Sequence, residues 1–210
     1  MNDPILQISN LTKSFGGLKV LERVSFDLRP GQRFGLIGPN GAGKTTLMNI
    51  LFGHYVADSG IIEVFGQSIQ QGSPHAAIEL GIGMVHQHFT LADNLSVLDN
   101  VMLGTESLWS LSSNRRAGRL KLEQLGERFG LQVNPNARVA ELSIGERQRV
   151  EILKALFRNA KILILDEPTA VLTPQEIETF FETLKKLVLG GLSLIFISHK
   201  MQEVLAISDR

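Results

Sequence analysis

At 210 residues and 43% hydrophobic content, the chain can bury one sizeable core, enough for one domain or one domain plus a small lobe. Lysine plus arginine and aspartate plus glutamate number 21 each, which excludes the broad positive field that draws a duplex-binding protein onto phosphates. There is no cysteine, hence no disulfide framework and no thiolate metal site; the opening MNDPILQISN does not read as a secretory signal, and no apolar run approaches the roughly 20 residues that cross a bilayer.

Residues 5–15 and 20–28 read as strands joined across Gly16-Gly17, and Pro30-Gly31 turns the chain into a third strand at 33–38. A glycine-rich loop then opens a helix. Further strands are predicted at 61–65, 82–86, 161–166 and 192–198, the later ones apolar enough to be buried on both faces, with helices between them. Thr173, Pro174 and Glu176 supply an N-cap, a first-turn proline and the third residue of a capping box, so an amphipathic helix starts there and stops near Gly190-Gly191. Between Gln87 and about Asn159 strand signals give way to helical ones, which predicts a mostly helical lobe inserted into a parallel-sheet core.

The loop after the third strand reads Gly38, Pro39, Asn40, Gly41, Ala42, Gly43, Lys44, Thr45, Thr46. Gly38 and Gly43 are expected at tight backbone turns, leaving exposed N–H groups to surround phosphate oxygens while the following helix adds its positive dipole end. Lys44 places a point charge on the terminal phosphates, and Thr45 can give its hydroxyl to Mg²⁺. Such a site needs a second acid at a strand end, and ILILDEP supplies Asp166 for the metal with Glu167 beside it to position or deprotonate a water. Taken alone, two acids at a strand exit can also be a local cap; the phosphate loop upstream strengthens the metal reading.

With these residues in place, the chain resembles the nucleotide-binding domains of ABC transporters over essentially its whole length, because the elements appear in that family's order. The resemblance implies an α/β fold: a P-loop NTPase core with a mostly parallel sheet, N-terminal antiparallel β strands and an inserted helical lobe. The core takes 1–87 and 160–210, and the lobe about 88–159. Phe15 is similar to the family's adenine-stacking aromatic, with Val20 flanking the base, although a core phenylalanine in an edge strand is the plainer alternative. Gln87 resembles the glutamine that contacts Mg²⁺ and the attacking water, and His199 the switch histidine on the γ-phosphate. The other histidines, 54, 75, 86 and 88, lack the spacing of a zinc site.

Residues 142–149, LSIGERQR, resemble the family's LSGGQ signature, with Ile144 and Glu146 as departures. Ser143, Gly145 and Glu146 are then expected against ATP held by a second domain, while Ser143 and Glu146 also spell a capping box; both readings can hold together. Thr173 stands where the family commonly has aspartate.

The resemblance implies cofactors ATP and Mg²⁺, and hydrolysis coupled to transport. It also implies a head-to-tail dimer with a second ABC ATPase domain, fused or separate, and transmembrane permease subunits docked around residues 88–100. An extracytoplasmic solute-binding protein would complete the system, with the chain peripheral on the cytoplasmic face of the cell membrane. The wording MVHQHF, LSIGERQRVEILKAL, DEPTAVLTPQE and ISHKMQEV is most similar to the first ATPase half of tandem chains serving nucleoside or simple-sugar importers, so the sequence ending at SDR reads as a piece of a longer chain. Two alternatives share the same core. A soluble ABC ATPase acting on nucleic acid or ribosomes calls for a basic arm or coiled-coil insertion, which the sequence lacks. A regulatory half-site with little turnover draws on Ile144, Glu146 and Thr173.

Overall fold

The computed structural model describes residues 3–87, 89–105 and 114–210. His88, the first residue of the expected docking segment, and residues 106–113 of the expected helical stretch lie outside the described residues.

Strands β1 (Leu6–Phe15) and β2 (Leu18–Leu28) form an antiparallel hairpin. Alternation along β1 turns Leu6, Ile8 and Leu11 inward, while intervening residues face out. Strand β3 (Arg33–Ile37) starts the second sheet and leads into α1 (Lys44–Leu51). The chain then returns as β4 (Ser59–Val64) on the free side of β1, followed by the two-residue β5 (Gln67–Ser68), giving an antiparallel sheet of order β2-β1-β4-β5. The expected strand 61–65 therefore lies earlier: Ser59 pairs with Thr12, and at the far end Phe65 takes φ 50 and leaves the ladder.

Next come α2 (Pro74–Glu79), capped by Ser73, and β6 (Ile82–Val85). Between β6 and the next strand the described residues form α3 (Val97–Met102), α4 (Arg115–Phe129), a 3-10 turn (Val139–Glu141) and α5 (Ile144–Phe157). Their one strand-like pairing is an isolated bridge between Ser96 and Arg138. The chain closes with β7 (Ile162–Asp166), α6 (Pro174–Leu189), β8 (Ser193–Ser198) and α7 (Met201–Ile207). Helix α6 starts where its capping box predicts: Thr173 Oγ1 and N both donate to Glu176 Oε2 at 2.8 Å, and each such cap is worth about 1 kcal/mol.

The second sheet is parallel, in the order β3-β8-β7-β6. Every residue of β7 and β8 is buried, as expected of parallel strands covered on both faces. The two-residue period divides them. Leu163, Leu165, Leu194 and Phe196 join the core with α5 and α6, whereas Ile162, Ile164, Ile195 and Ile197 join the core with α1 and the antiparallel sheet. Because the strands run the same way, Ile37, Val85, Asp166 and Ser198 all end at one edge, and the segments that follow them converge there.

Candidate functional site

The loop between β3 and α1 wraps that edge. Gly43 is the N-cap of α1 at φ 87 and ψ 3, with no side-chain cap and no acid in the first turn, so the helix-start N–H groups face outward unneutralised. Gly41 is also left-handed, at φ 82, and Gly43 has a second constraint: a Cβ there would lie 2.8 Å from the Val20 carbonyl oxygen. Gly38, also expected at a tight backbone turn, differs from these two. It is not in the left-handed region; what it provides is room, since a Cβ would come within 3.3 Å of Ala42 Cβ. Lys44 arches back so that its Nζ donates to the carbonyls of Gly38 at 2.7 Å and Pro39 at 2.9 Å, and Ala42 N donates to Pro39 O at 3.2 Å.

The two acids diverge although adjacent in sequence. Asp166 ends β7 only 4% exposed, and its Oδ1 has no hydrogen-bond partner among the described residues. Burial pushes its carboxyl above the usual range; the neighbouring Thr45 hydroxyl and the charge of Lys44 partly offset this, while Glu167 adds to it. Glu167 takes φ 50, a conformation costly for a residue with a side chain, and its backbone N–H is held by Ile197 O at 3.0 Å. That twist sends the Glu167 carboxylate away from Asp166 and toward His199, whose Nδ1 is 2.8 Å from Glu167 Oε2.

A cleft of about 320 Å³ gathers most of the expected residues: Val20 on one wall, Asn40, Gly41, Gly43, Lys44, Thr45 and Thr46 along the loop and helix start, and Gln87, Glu167 and His199 opposite. Asp166 is not among the lining residues; it is buried next to Thr45. Thus anion-binding N–H groups and a lysine face a carboxylate–imidazole pair across a space that fits a polyphosphate and a water. Among the described residues no group of three or more His, Cys, Asp or Glu could hold a metal, so a divalent cation at Thr45 and Asp166 would need ligand oxygens to complete its shell.

Phe15 is not on the wall of this cleft. It ends β1, 43% exposed, with the Tyr55 ring edge-on at 5.5 Å. Ser143 and Gly145 line a different cleft, of about 290 Å³, between the start of α5 and α6. There the capping box is formed: Ser143 N and Oγ donate to Glu146 Oε2 at 2.9 and 2.8 Å, and these bonds hold the Glu146 carboxyl below its usual range.

Two features escaped the sequence reading. The Glu167–His199 contact joins residues 32 apart. Glu203, 8% exposed, accepts from Thr169 Oγ1 at 2.5 Å, Ser198 Oγ at 3.0 Å and Lys200 Nζ at 2.9 Å, and so ties the turn after Glu167 to the strand end before His199. The one available signal was an acid four residues after His199 in HKMQEV, within the first turn of α7.

The family described as ABC transporter matches residues 21–170. The chain is similar to the nucleoside import ATP-binding protein NupA of Lactococcus lactis subsp. cremoris (strain MG1363), 44% identical over 209 residues that cover 100% of this chain and 41% of that protein. It is likewise similar to the guanosine import ATP-binding protein NupO of Bacillus subtilis (strain 168), at 44% over 207 residues, 98% of this chain and 40% of the relative. The ribose import ATP-binding protein RbsA of Chromobacterium violaceum matches at 43% over 204 residues, 95% and 40%. The chain spans about two fifths of the length of these curated relatives. Among solved structures, it resembles the ADP conformation of MJ1267, an ATP-binding cassette of an ABC transporter, with a TM-score of 0.88 and 29% identity over 99% of this chain and 86% of that one.

Proposed function

Because the chain belongs to the ABC transporter family, we propose that it is the ATP-binding and hydrolysing unit of a membrane importer, one that carries nucleosides or simple sugars. The observation that carries this reading is the cleft at the sheet edge, where the α1 start and Lys44 face Glu167 and His199. The relatives named for nucleoside, guanosine and ribose import support the cargo class.

In this proposal the backbone from Gly38 to Thr46 cradles the phosphates, and Lys44 turns from the Gly38 and Pro39 carbonyls to the terminal ones. Phe15 and Val20 take the adenine. Mg²⁺ fits the donor set, since Asp166 brings a buried carboxylate oxygen with no partner among the described residues, Thr45 a hydroxyl beside it and Gln87 an amide across the cleft. When bound, the ion supplies neutralisation of the terminal phosphate charge. Glu167 orients the lytic water and accepts its proton, while His199 holds that carboxylate in register and reaches the γ-phosphate.

Ser143 and Gly145 line a separate cleft, with Glu146 bonded to Ser143, which supports a shared site in which this signature covers ATP held by a second ABC domain, fused or separate, in a head-to-tail pair. Residues 1–87 and 160–210 form the core, and about 88–159 form a helical lobe whose 88–100 segment meets the permease. A solute-binding protein delivers cargo outside, and the chain is peripheral on the cytoplasmic side; no described helix is long and apolar enough to cross a membrane.

The test is ATPase rate per molecule against protein concentration, for the 210-residue chain and for it joined to its partner domain. Slow, concentration-dependent turnover that rises on pairing, and is abolished by Glu167→Gln with ATP still bound, is expected. A fast rate independent of concentration in a demonstrably monomeric chain would sink the shared site. A second reading, a nucleotide-binding half-site with little turnover, draws on the closed Ser143–Glu146 and Thr173–Glu176 boxes; it holds if pairing leaves turnover flat.

A further inference from the structure

The end of β1 is fastened to the loop after α1 by one acid. Asp58 Oδ1 accepts from Lys13 Nζ at 2.9 Å, its Oδ2 accepts from Ser14 N at 2.6 Å, and its own N–H donates to Thr12 O at 2.9 Å. Lys13, with a side chain only 16% exposed, is thereby held with Nζ 5.2 Å from the centroid of the Phe15 ring. Tyr55, whose N–H donates to Asn49 O of α1 at 3.1 Å, meets the same ring at an interplanar angle of 71°. Phe15 and Tyr55 are nonetheless 43% and 42% exposed, so an aromatic pair with a fixed cation stands open beside the hairpin that carries Val20.

A cation held over one face of a ring draws π density toward itself, which favours stacking of an electron-rich heteroaromatic on the other face. An edge-on second ring stops the first from rotating into solvent. We propose that Lys13, Asp58 and Tyr55 are positioning residues for Phe15, and that together they make a platform for the purine of a nucleoside triphosphate whose phosphates lie at the Gly38–Thr46 loop. This rests on the nucleotide reading above and deepens it, since it places base affinity in residues from the loop after α1 as well as in Phe15.

The experiment compares MgATP with magnesium tripolyphosphate, which has the charge but no base, by calorimetric titration of the purified chain and its variants. Tyr55→Ala and Lys13→Met should each weaken ATP about fivefold and leave tripolyphosphate unchanged, while Tyr55→Phe should keep the parent ATP affinity. Circular dichroism of each variant without ligand verifies folding, and Lys13→Met carries the test if Tyr55→Ala does not fold. Equal losses for both ligands, or no loss of ATP affinity in either folded variant, overturns the platform. So does a parent chain that binds the two ligands equally, which would still leave the phosphate site standing; a parent chain that binds neither overturns the nucleotide reading itself.

Discussion

Asp166→Asn should stabilise the chain without nucleotide at neutral pH. Asp166 is 4% exposed, its Oδ1 has no partner among the described residues, and Thr45 and Lys44 only partly offset the cost of burying its charge. Removing a buried charged acceptor left without a partner is worth about 1–3 kcal/mol, and at roughly 2–4 °C per kcal/mol for a chain of this size the melting temperature should rise by about 2–12 °C. The pH dependence gives the effect a signature. The folded-state pKa lies above the ordinary 3.8, so folding favours the protonated acid. That contribution is complete below the unfolded pKa and is lost as pH rises through the folded value, so the gap between variant and parent should be small near about pH 4 and widen toward about pH 8. MgATP should close the gap, because the parent gains about 2.7 kcal/mol at a hundredfold excess over Kd and the variant gains less. Thermal melts by circular dichroism across that range, with and without MgATP, measure all of this. A variant that melts at or below the parent near neutral pH without nucleotide would refute the claim that an uncompensated charge is buried there.

Gly43→Ala should cost about 2–4 kcal/mol, because it combines a left-handed φ with a contact of 2.8 Å on the Val20 carbonyl, whereas Gly41→Ala, with open space around it, should cost only about 1–2 kcal/mol; denaturant unfolding of the two variants orders them. Glu203→Gln should destabilise by about 2–3 kcal/mol, since three donors converge on that buried carboxylate, yet leave MgATP affinity within about twofold; a melt and a titration on the same sample separate the effects.

Much of the fold was legible because its signals are local. The runs at 161–166 and 192–198 are apolar throughout, and Thr173-Pro174 with Glu176 writes a helix start into consecutive residues; the strands and the α6 cap follow those marks within a residue or two. The glycine-rich loop between β3 and α1 was legible for the same reason. The reading missed where local geometry is decided by distant packing. Gly38 is a glycine for space rather than for φ, which depends on where Ala42 comes to lie. Phe65 left its strand because the chain turns there toward β5, a strand of two residues too short to show a period. The Glu167–His199 pair exists because β7 and β8 are adjacent and in register, with Asp166 opposite Ile197, and neither stretch contains that adjacency by itself. Tyr55 against Phe15 is the same case, since Asp58 creates the contact by tying two segments that are 44 residues apart.

The most direct measurement is a calorimetric titration of MgATP into the chain beside its Lys44→Ala variant. Lys44 Nζ is held by the Gly38 and Pro39 carbonyls, which it exchanges for phosphate oxygens in the proposed role, and a charge-assisted contact of this kind is worth about 1.5–3 kcal/mol, or roughly 10–150-fold in Kd. The expected result is one ATP bound per chain, with affinity reduced by at least about tenfold in a variant that melts within a few degrees of the parent. Equal affinity in the two folded proteins would contradict the assignment of the cleft as the nucleotide site.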